Sequence, residues 1–257
     1  MMLSCRCVDA SSAELFRNHR VILTPEEGNE AEAVALVREL WQNGGSSSAE
    51  YVESGTPAHA YATTSLDMVG TRIDRTETAL VLGGAALSLP VALQEARPDM
   101  EVDVVEIDPA VTELAERYFA FGERDRPGIR IHHDDARVFL RSGEARYDLV
   151  YLDVFDHLLT VPWTMVTEEA LGEMRARTDA DGVFMANVLS PLEGDGTAFL
   201  PRFRTTLEAV FPASRIYMTN ASTDPGATQN LIVVGAESEA AFAELDESWV
   251  VAPVPAS

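Results

Sequence analysis

Two carboxylates follow an apolar segment in the middle of the chain. Asp153 closes the segment 149–153, and Asp156 lies three residues further on. A pair of carboxylates at the end of a strand can hold a cationic amine, and one of them can remove its proton as the amine attacks an electrophile. The same residues are equally consistent with caps of a strand and a helix. His157 is an alternative base, because a neutral imidazole accepts a proton near neutral pH.

Glycines and an acid at the ends of two earlier apolar segments suggest a nucleoside site. Gly83 and Gly84 precede a helical segment, where small residues let the backbone approach a ligand at the positive end of a helix. Taken alone, this loop is also consistent with an ordinary tight turn. Glu106 closes the next apolar segment, 23 residues after Gly83, and is placed to accept hydrogen bonds from ribose hydroxyls. Asp108, before Pro109, has a ready explanation as a helix N-cap.

The segment 132–135 combines two histidines with two aspartates and raises the question of a metal site. Neighbouring side chains on a strand point to opposite faces, so these four residues do not converge on one ion. Cys5 and Cys7 lack the second pair that would complete a metal site. We therefore expect no metal. We expect Asp135 to begin a helix and to accept a hydrogen bond from an adenine amino group.

Strand-like and helical segments alternate from residue 78 onward. The strand-like runs occupy residues 79–82, 102–107, 129–132, 149–153 and 183–188, and the helical stretches occupy 87–96, 110–119, 136–141 and 168–177. Alternation of strands that are apolar on both faces with helices predicts a parallel sheet covered on two sides. Ligands of such sheets bind at the carboxyl ends of the strands, where the candidate residues are found.

The end of the chain predicts a different pairing. After a helix over 197–210, two strands over 214–219 and 230–235 are joined by ten residues without a helical pattern. A parallel crossover needs a dozen or more residues, so these two strands must pair antiparallel. Residues 78–257 are therefore predicted to form an α/β, Rossmann-like domain with a mostly parallel seven-stranded sheet that ends in an antiparallel hairpin.

Residues 1–77 do not follow this pattern and are predicted to form a small N-terminal appendage over the cleft. Residues 30–42 have helical periodicity, and the Gly- and Ser-rich residues 44–48 are expected to break the chain. Residues 51–68 are short and mixed in character and suggest a hairpin. The appendage is thus expected to contain a helix and short strands.

Composition limits the classes of partner and location. The net charge of −23 repels nucleic-acid phosphates and favours small cationic partners, although acidic surfaces also serve solvation alone. Every basic residue is Arg, which excludes Schiff-base chemistry and a P-loop lysine. No apolar run is long enough to span a bilayer, and the first residues lack the apolar stretch of a signal peptide. We therefore expect a cytoplasmic protein without a membrane partner.

Residues 78–236 resemble the spermidine synthase-like (polyamine aminopropyltransferase-like) family of class I adenosylmethionine-fold proteins. The matching segments are VLGGAALSLP, VEIDPAV, DDARVFL, YDLVYLDVFD, VPWTMVTEEAL, DGVFMANV and QNLIVV. The resemblance implies transfer of an aminopropyl group from decarboxylated S-adenosylmethionine to a small cationic amine. By analogy with the family, it also implies a homodimer.

The resemblance also implies roles for single residues. The cofactor would be bound at its methionine side, its ribose and its adenine by Gly83, Gly84, Glu106, Ile107, Asp135 and Ala136. Asp153 would be the base that deprotonates the attacking amine, and Asp156 would hold a substrate ammonium.

Four departures from the family concern the group-transfer half of the site. The first loop has Ala86 where the family has an Asp, Ala58 stands where the family has a Gln, Asn187 replaces a common Gln, and a Tyr-His-Glu segment is absent. A methyltransferase that uses ordinary S-adenosylmethionine is therefore an alternative, as is a non-catalytic binding protein with this fold. A nicotinamide dehydrogenase fits Glu106 but neither the glycine pattern nor the terminal hairpin.

Overall fold

The computed structural model describes residues 8–10, 19–25, 35–42, 44–155, 160–194, 198–219, 224–243, 245, 248 and 250–251. These residues form a four-stranded N-terminal sheet and a seven-stranded sheet. The smaller sheet is antiparallel throughout, and its strands, in spatial order, are β1 (Val8–Ala10), β2 (His19–Pro25), β3 (Leu36–Gln42) and β4 (Gly45–Tyr51).

The larger sheet begins after the first helix of the chain. Its strands are β5 (Thr78–Leu82), β6 (Glu101–Val105), β7 (Ile129–His132), β8 (Tyr147–Leu152), β9 (Thr178–Ser190), β10 (Ala213–Met218) and β11 (Gln229–Ala236). Their order is β10-β11-β9-β8-β5-β6-β7. Strand β11 pairs antiparallel with both β9 and β10, whereas the pairs from β9 to β7 are all parallel. The predicted α/β fold with a C-terminal antiparallel hairpin is confirmed.

Helices connect these strands, and three of them begin at a residue whose side chain accepts a hydrogen bond from the first turn. They are α1 (Ala60–Gly70), α2 (Ser88–Ala96), α3 (Pro109–Tyr118), α4 (Ala136–Ser142), α5 (Glu168–Arg177) and α6 (Phe199–Val210). Asp108 caps α3 by accepting a 2.9 Å hydrogen bond from the Ala110 amide, with Pro109 in the first turn. The cap predicted from the Asp-Pro pair is therefore confirmed.

The core lies on both faces of the larger sheet because successive strand residues point to opposite sides. On β5, Ala79 and Val81 pack into one apolar cluster with α1, α2 and α3. Leu80 and Leu82 pack into the other cluster with α4, α5 and α6. A third cluster joins Val21 and Leu40 of the N-terminal sheet to the larger sheet's helices. No helix in the described part of the chain is long and apolar enough to cross a membrane.

Two expectations for the N-terminal segment are wrong. Residues 36–42 form the strand β3 and not the end of a helix, and Ser46–Ser48 belong to β4 although they were expected to break the chain. Helix propensity is a weak preference, and pairing of β3 with a strand on each side overrides it here. The turn before β4 uses Gly44, whose φ of 90° favours glycine. The remainder of the predicted helix, residues 30–34, lies outside the described residues.

The hairpin predicted within residues 51–68 is limited to a turn at its start, where Pro57 bridges Glu50 antiparallel, and the second half of the segment forms α1. The buried residues of α1 are Ala62, Ser65 and Val69, which follow the three- and four-residue spacing of a helix face. Its threonines, serine and terminal glycine have low helix propensity and weakened the helical pattern in the sequence.

A buried carboxylate joins the N-terminal sheet to the larger domain. Glu50, on β4, is 1% exposed and accepts hydrogen bonds from Arg38 Nη1 at 2.9 Å and from the Ala120 amide at 3.0 Å. Its Oε2 atom has no hydrogen-bond partner among the described residues. Burial raises the pKa of Glu50 to about 7, against the opposing effect of its two donors.

Candidate active site

A cleft of about 750 Å³ opens where β5, β6, β7 and β8 end. This volume is in the range of sites that hold a nucleoside-sized ligand. The cleft lies at the switch point of the sheet, since β5 is flanked by β6 on one side and β8 on the other. The N-terminal segment forms the opposite wall with residues from β4, from the approach to α1 and from the start of α1.

The glycine loop and the loop after β8 are in direct contact at the floor of the cleft. Gly83 has a φ of 96°, and a Cβ atom built on it would lie 2.4 Å from the carbonyl oxygen of Asp153. Only glycine fits both the left-handed backbone and this approach. Gly84 has less room than most residues, with Cβ contacts of 3.1–3.3 Å to Leu87, Val104 and Glu106.

We expect Gly83→Ala to destabilise the fold by about 2–4 kcal/mol, because it adds backbone strain and a clash with a main-chain oxygen. Gly172→Ala is the matched control, since nothing lies within 4 Å of a Cβ atom there and the residue is inside α5. The control should be stabilising by about 0.5–1 kcal/mol. Urea unfolding of both variants measures the difference, and equal stabilities would contradict the contact described.

Glu106 has a structural role that the sequence did not reveal. Its Oε2 accepts hydrogen bonds from the amides of Gly84 and Ala85 at 3.0 and 3.1 Å, and its Oε1 accepts one from the Asp108 amide at 2.9 Å. Burial raises the pKa of Glu106, and these three donors oppose that effect. A carboxylate has roughly four acceptor positions, so about one remains for a ribose hydroxyl.

The residues predicted to meet the adenine all line the cleft. Ile107 is 43% exposed, which is unusual for a large apolar side chain, and Asp135 and Ala136 belong to the same lining. Asp135 also caps α4 through Oδ1, which accepts from the amides of Arg137 at 2.8 Å and Val138 at 3.1 Å. The predicted helix start at Asp135 is thereby confirmed.

Asp153 lines the cleft and is held by two neutral donors. Tyr61 donates its hydroxyl hydrogen to Oδ2 at 3.0 Å, and Asn187 donates from Nδ2 to Oδ1 at 3.0 Å. Burial raises the pKa of Asp153 to about 6, and both hydrogen bonds partly offset this. The group is therefore a stronger base than an ordinary carboxylate and is still mostly ionised at pH 7.

Tyr61 is a site residue that sequence reasoning missed. It lies on α1, and its hydroxyl donates to Asp153. One turn further along α1, Ser65 Oγ donates to the Tyr61 carbonyl oxygen at 2.7 Å and contacts the buried Tyr151 hydroxyl at 2.8 Å. Recognition of the helical spacing in residues 60–70 would have placed Tyr61 at the first turn, facing the sheet. The family's Tyr-His-Glu segment is absent from this sequence, but a tyrosine does line the cleft.

The remaining candidate residues are either undescribed or bonded to separate partners. Asp156 and the alternative base His157 lie outside the described residues. His132 contacts Asp103 at 2.8 Å, whereas His133 contacts Thr112 at 3.0 Å, so the two histidines serve different partners. Within the described residues, no group of three or more His, Cys, Asp or Glu side chains is arranged to hold a metal ion.

The glycine loop presents no carboxylate to the cleft. Ala86, expected at the position of the family's Asp, is fully buried in the apolar cluster with Val21 and Leu40. Ala85 lines the cleft in its place, in a left-handed conformation with a φ of 42°. Ala58 and Asn187, the other two substituted positions, do line the cleft.

The lining is strongly acidic. Its described charged side chains are four carboxylates and one guanidinium, namely Glu106, Asp134, Asp135, Asp153 and Arg137. The guanidinium of Arg137 is already paired through two nitrogens with Glu173, at 2.7 and 3.0 Å. Burial lowers the pKa of His59, also in the lining, so this imidazole is neutral at pH 7. The cleft therefore favours cationic ligands.

The strand order, the cleft at the switch point and the glycine loop next to a strand-end acid define a class I adenosylmethionine-fold protein. The chain belongs to the spermine/spermidine synthase family, whose domain model matches residues 58–244.

Individual relatives agree with this assignment. The polyamine aminopropyltransferase of Vibrio vulnificus is 37% identical over 117 residues, which are 44% of this chain and 38% of that protein. The chain thus matches well under half of that relative's length. A probable spermidine synthase from Corynebacterium glutamicum superposes with a TM-score of 0.72 at 19% identity, over 92% of this chain and 87% of the other. Human methyltransferase-like protein 13, in complex with SAH, superposes with a TM-score of 0.58 at 21% identity, over 76% of this chain and 87% of the other. At such identities these two structures establish the fold alone.

Proposed function

We propose that the protein transfers an aminopropyl group from decarboxylated S-adenosylmethionine to a small cationic amine. The main observation is Asp153, a carboxylate of raised pKa on the cleft floor, held by neutral donors and next to the loop expected to bind the cofactor. Family membership supports the same reaction.

The cofactor half of the site fits a nucleoside. Gly83 lets the glycine loop contact the main chain of Asp153, and Glu106 retains about one acceptor position for the ribose. Ile107 would offer its exposed apolar surface to the adenine ring, and Asp135, in the same lining as Ala136, would accept a hydrogen bond from the adenine amino group. Decarboxylation leaves the cofactor cationic at both its ammonium and its sulfonium, which suits the acidic lining.

Asp153 would act as a general base. It accepts a proton from the acceptor ammonium, and the amine nitrogen then forms a bond to the carbon next to the sulfonium. The bond from that carbon to sulfur breaks, and methylthioadenosine leaves as a neutral thioether. Asp156 would hold a second positive charge of the acceptor. Positioning of the two substrates in line supplies most of the acceleration.

The setting of the reaction is also a proposal. The two-part division at residues 77 and 78, a homodimer by family analogy and a cytoplasmic location are consistent with a small-molecule transferase. The net charge of −23 argues against nucleic acid as a partner.

Calorimetric titration with decarboxylated S-adenosylmethionine, S-adenosylmethionine and methylthioadenosine tests the cofactor assignment. We expect the first and third to bind more tightly than S-adenosylmethionine, whose carboxylate meets an acidic lining. Ile107→Ala should weaken binding of all three by about tenfold, because it removes apolar contact with the adenine. Val138→Ala is the matched control, since Val138 is 52% exposed and does not line the cleft.

Binding of the decarboxylated cofactor followed by product formation with a polyamine would support the proposal. If none of the three compounds bound at millimolar concentration, the cofactor assignment would be wrong. Tight binding without transfer to any amine would instead favour a binding protein with this fold.

Methyl transfer is the second candidate, and a specific observation favours it. Ala85 and the buried Ala86 leave the glycine loop without the acid that would hold the aminopropyl ammonium. Tighter binding of ordinary S-adenosylmethionine in the titration, together with formation of a methylated product, would support methyl transfer.

A further inference from the structure

A chain of two carboxamides ends at Asp153. Asn230 donates from Nδ2 to Asn187 Oδ1 at 2.8 Å, and Asn187 donates from its own Nδ2 to Asp153 Oδ1 at 3.0 Å. Each amide thus points its NH₂ group toward the carboxylate. Both asparagines line the cleft.

The orientation of the Asn187 amide decides the sign of its effect on Asp153. A carboxamide has nearly the same shape when it is rotated by 180°, but its oxygen and nitrogen exchange places. In the rotated state, Asn187 would present an oxygen to the carboxylate and would repel it. Asn187 is 1% exposed, so water is not available to satisfy its oxygen, and the donor is Asn230.

The sheet holds this chain in place. Asn187 is on β9 and Asn230 is on β11, which pair antiparallel so that Asn230 is opposite Leu189. On its other side β9 pairs with β8, whose Leu152 is opposite Ala186, one residue before Asn187. Three adjacent strands therefore position Asn230, Asn187 and Asp153.

The described groups that contact Asp153 are otherwise neutral. Tyr61 on α1 donates to it. Tyr151 on β8 lies nearby, and its hydroxyl is hydrogen-bonded to Ser65. None of the ion pairs formed within the described residues includes Asp153. Among the described residues, the ionised form of Asp153 is thus stabilised by the hydrogen bonds from Asn187 and Tyr61.

We propose that Asn230 is a positioning residue that orients the Asn187 amide with its NH₂ group toward Asp153. The consequence for catalysis rests on the proposed function, whereas the orientation itself does not. Loss of the Asn230 donor frees Asn187 to rotate, and Asp153 then loses a hydrogen bond in its ionised form.

Titration of the Asp153 carboxyl carbon by NMR tests this without an activity assay. The protein is labelled with ¹³C-aspartate, and Asp153→Asn identifies the resonance by its disappearance. Asn230→Leu should raise the pKa of Asp153 by about one unit above its value of about 6, as expected for loss of one hydrogen bond. Asn230→Ser keeps a shorter donor, folds with less disturbance of the strand, and should give a smaller rise.

Gln229→Met is the matched control. Gln229 is the preceding residue on β11, is 8% exposed, and its two amide atoms have no partner among the described residues. Like Asn230→Leu, this variant replaces an amide on β11 by an apolar side chain, so a general loss of packing would affect both variants. It should leave the Asp153 titration unchanged.

An unchanged Asp153 pKa in Asn230→Leu and Asn230→Ser would overturn the proposal, as would an equal rise in Gln229→Met. If the enzyme is active, the acidic limb of kcat/KM should move upward by the same amount in the Asn230 variants. Absence of transfer in the wild type would contradict the proposed function and leave the NMR result valid.

Discussion

Asp153→Asn should reduce the rate of group transfer by about 10²–10⁴-fold, because a carboxamide does not accept the proton of the attacking amine. Cofactor binding should be retained, since the substitution keeps the size of the side chain and the contact with Gly83 involves only the main chain of residue 153. Single-turnover rates and calorimetric affinities separate the two effects. In the wild type, kcat/KM should rise with pH through about 6 as Asp153 ionises.

Asp99→Asn is a control for this experiment, because Asp99 is an exposed residue in the turn before β6, at the opposite edge of the sheet from the cleft. It should have wild-type activity. Unchanged transfer by Asp153→Asn would remove Asp153 from the mechanism and would leave His157 as the candidate base.

Asp153→Asn should also stabilise the fold above pH 6. The folded-state pKa of Asp153 is about 6 and the ordinary value is 3.8, so the folded protein binds more protons between these values. The contribution of Asp153 to the free energy of unfolding therefore falls as pH rises from about 4 to 6, by up to about 3 kcal/mol. Asp153→Asn does not ionise, so its stability does not fall in this way as pH rises. Urea unfolding should show similar stabilities at pH 4 and a more stable variant at pH 8, and the reverse would show that Asp153 is not destabilised by burial.

The second large effect is expected at Glu50. Glu50→Ala should destabilise the protein by about 3–5 kcal/mol, because it leaves the largely buried Arg38 guanidinium and the Ala120 amide without their acceptor. Glu53→Ala, an exposed acid just after β4, is the matched control and should change stability by less than about 0.5 kcal/mol. Chemical denaturation measures both.

The pH dependence of the Glu50 effect has a defined sign. Burial raises the pKa of Glu50 from 4.5 to about 7, so its contribution to stability is largest below about pH 4.5 and falls as pH rises to 7. Glu50→Gln removes this ionisation and should flatten that part of the stability profile. A Glu50→Ala variant as stable as wild type would show that the N-terminal sheet does not depend on this contact.

Local sequence patterns predicted most of the larger domain. The helix 168–177 and the strand 129–132 were predicted with the observed bounds, and the other strands of the sheet differ at their ends. These segments succeed because buried parallel strands and amphipathic helices differ strongly in period and composition. The N-terminal sheet was not predicted, because β3 consists of residues with good helix propensity. It forms a strand only by pairing with β2 and β4.

The sequence by itself determined the class of this protein: an α/β sheet with an antiparallel end, a glycine loop, and acids at strand ends that meet at one edge. These features follow from local periodicity and from the rule that parallel strands share their carboxyl edge. Only the tertiary structure decided how Asp153 is held. Tyr61, Asn187 and Asn230 come from three elements far apart in the chain, and their effect on Asp153 depends on burial and on hydrogen bonds across space.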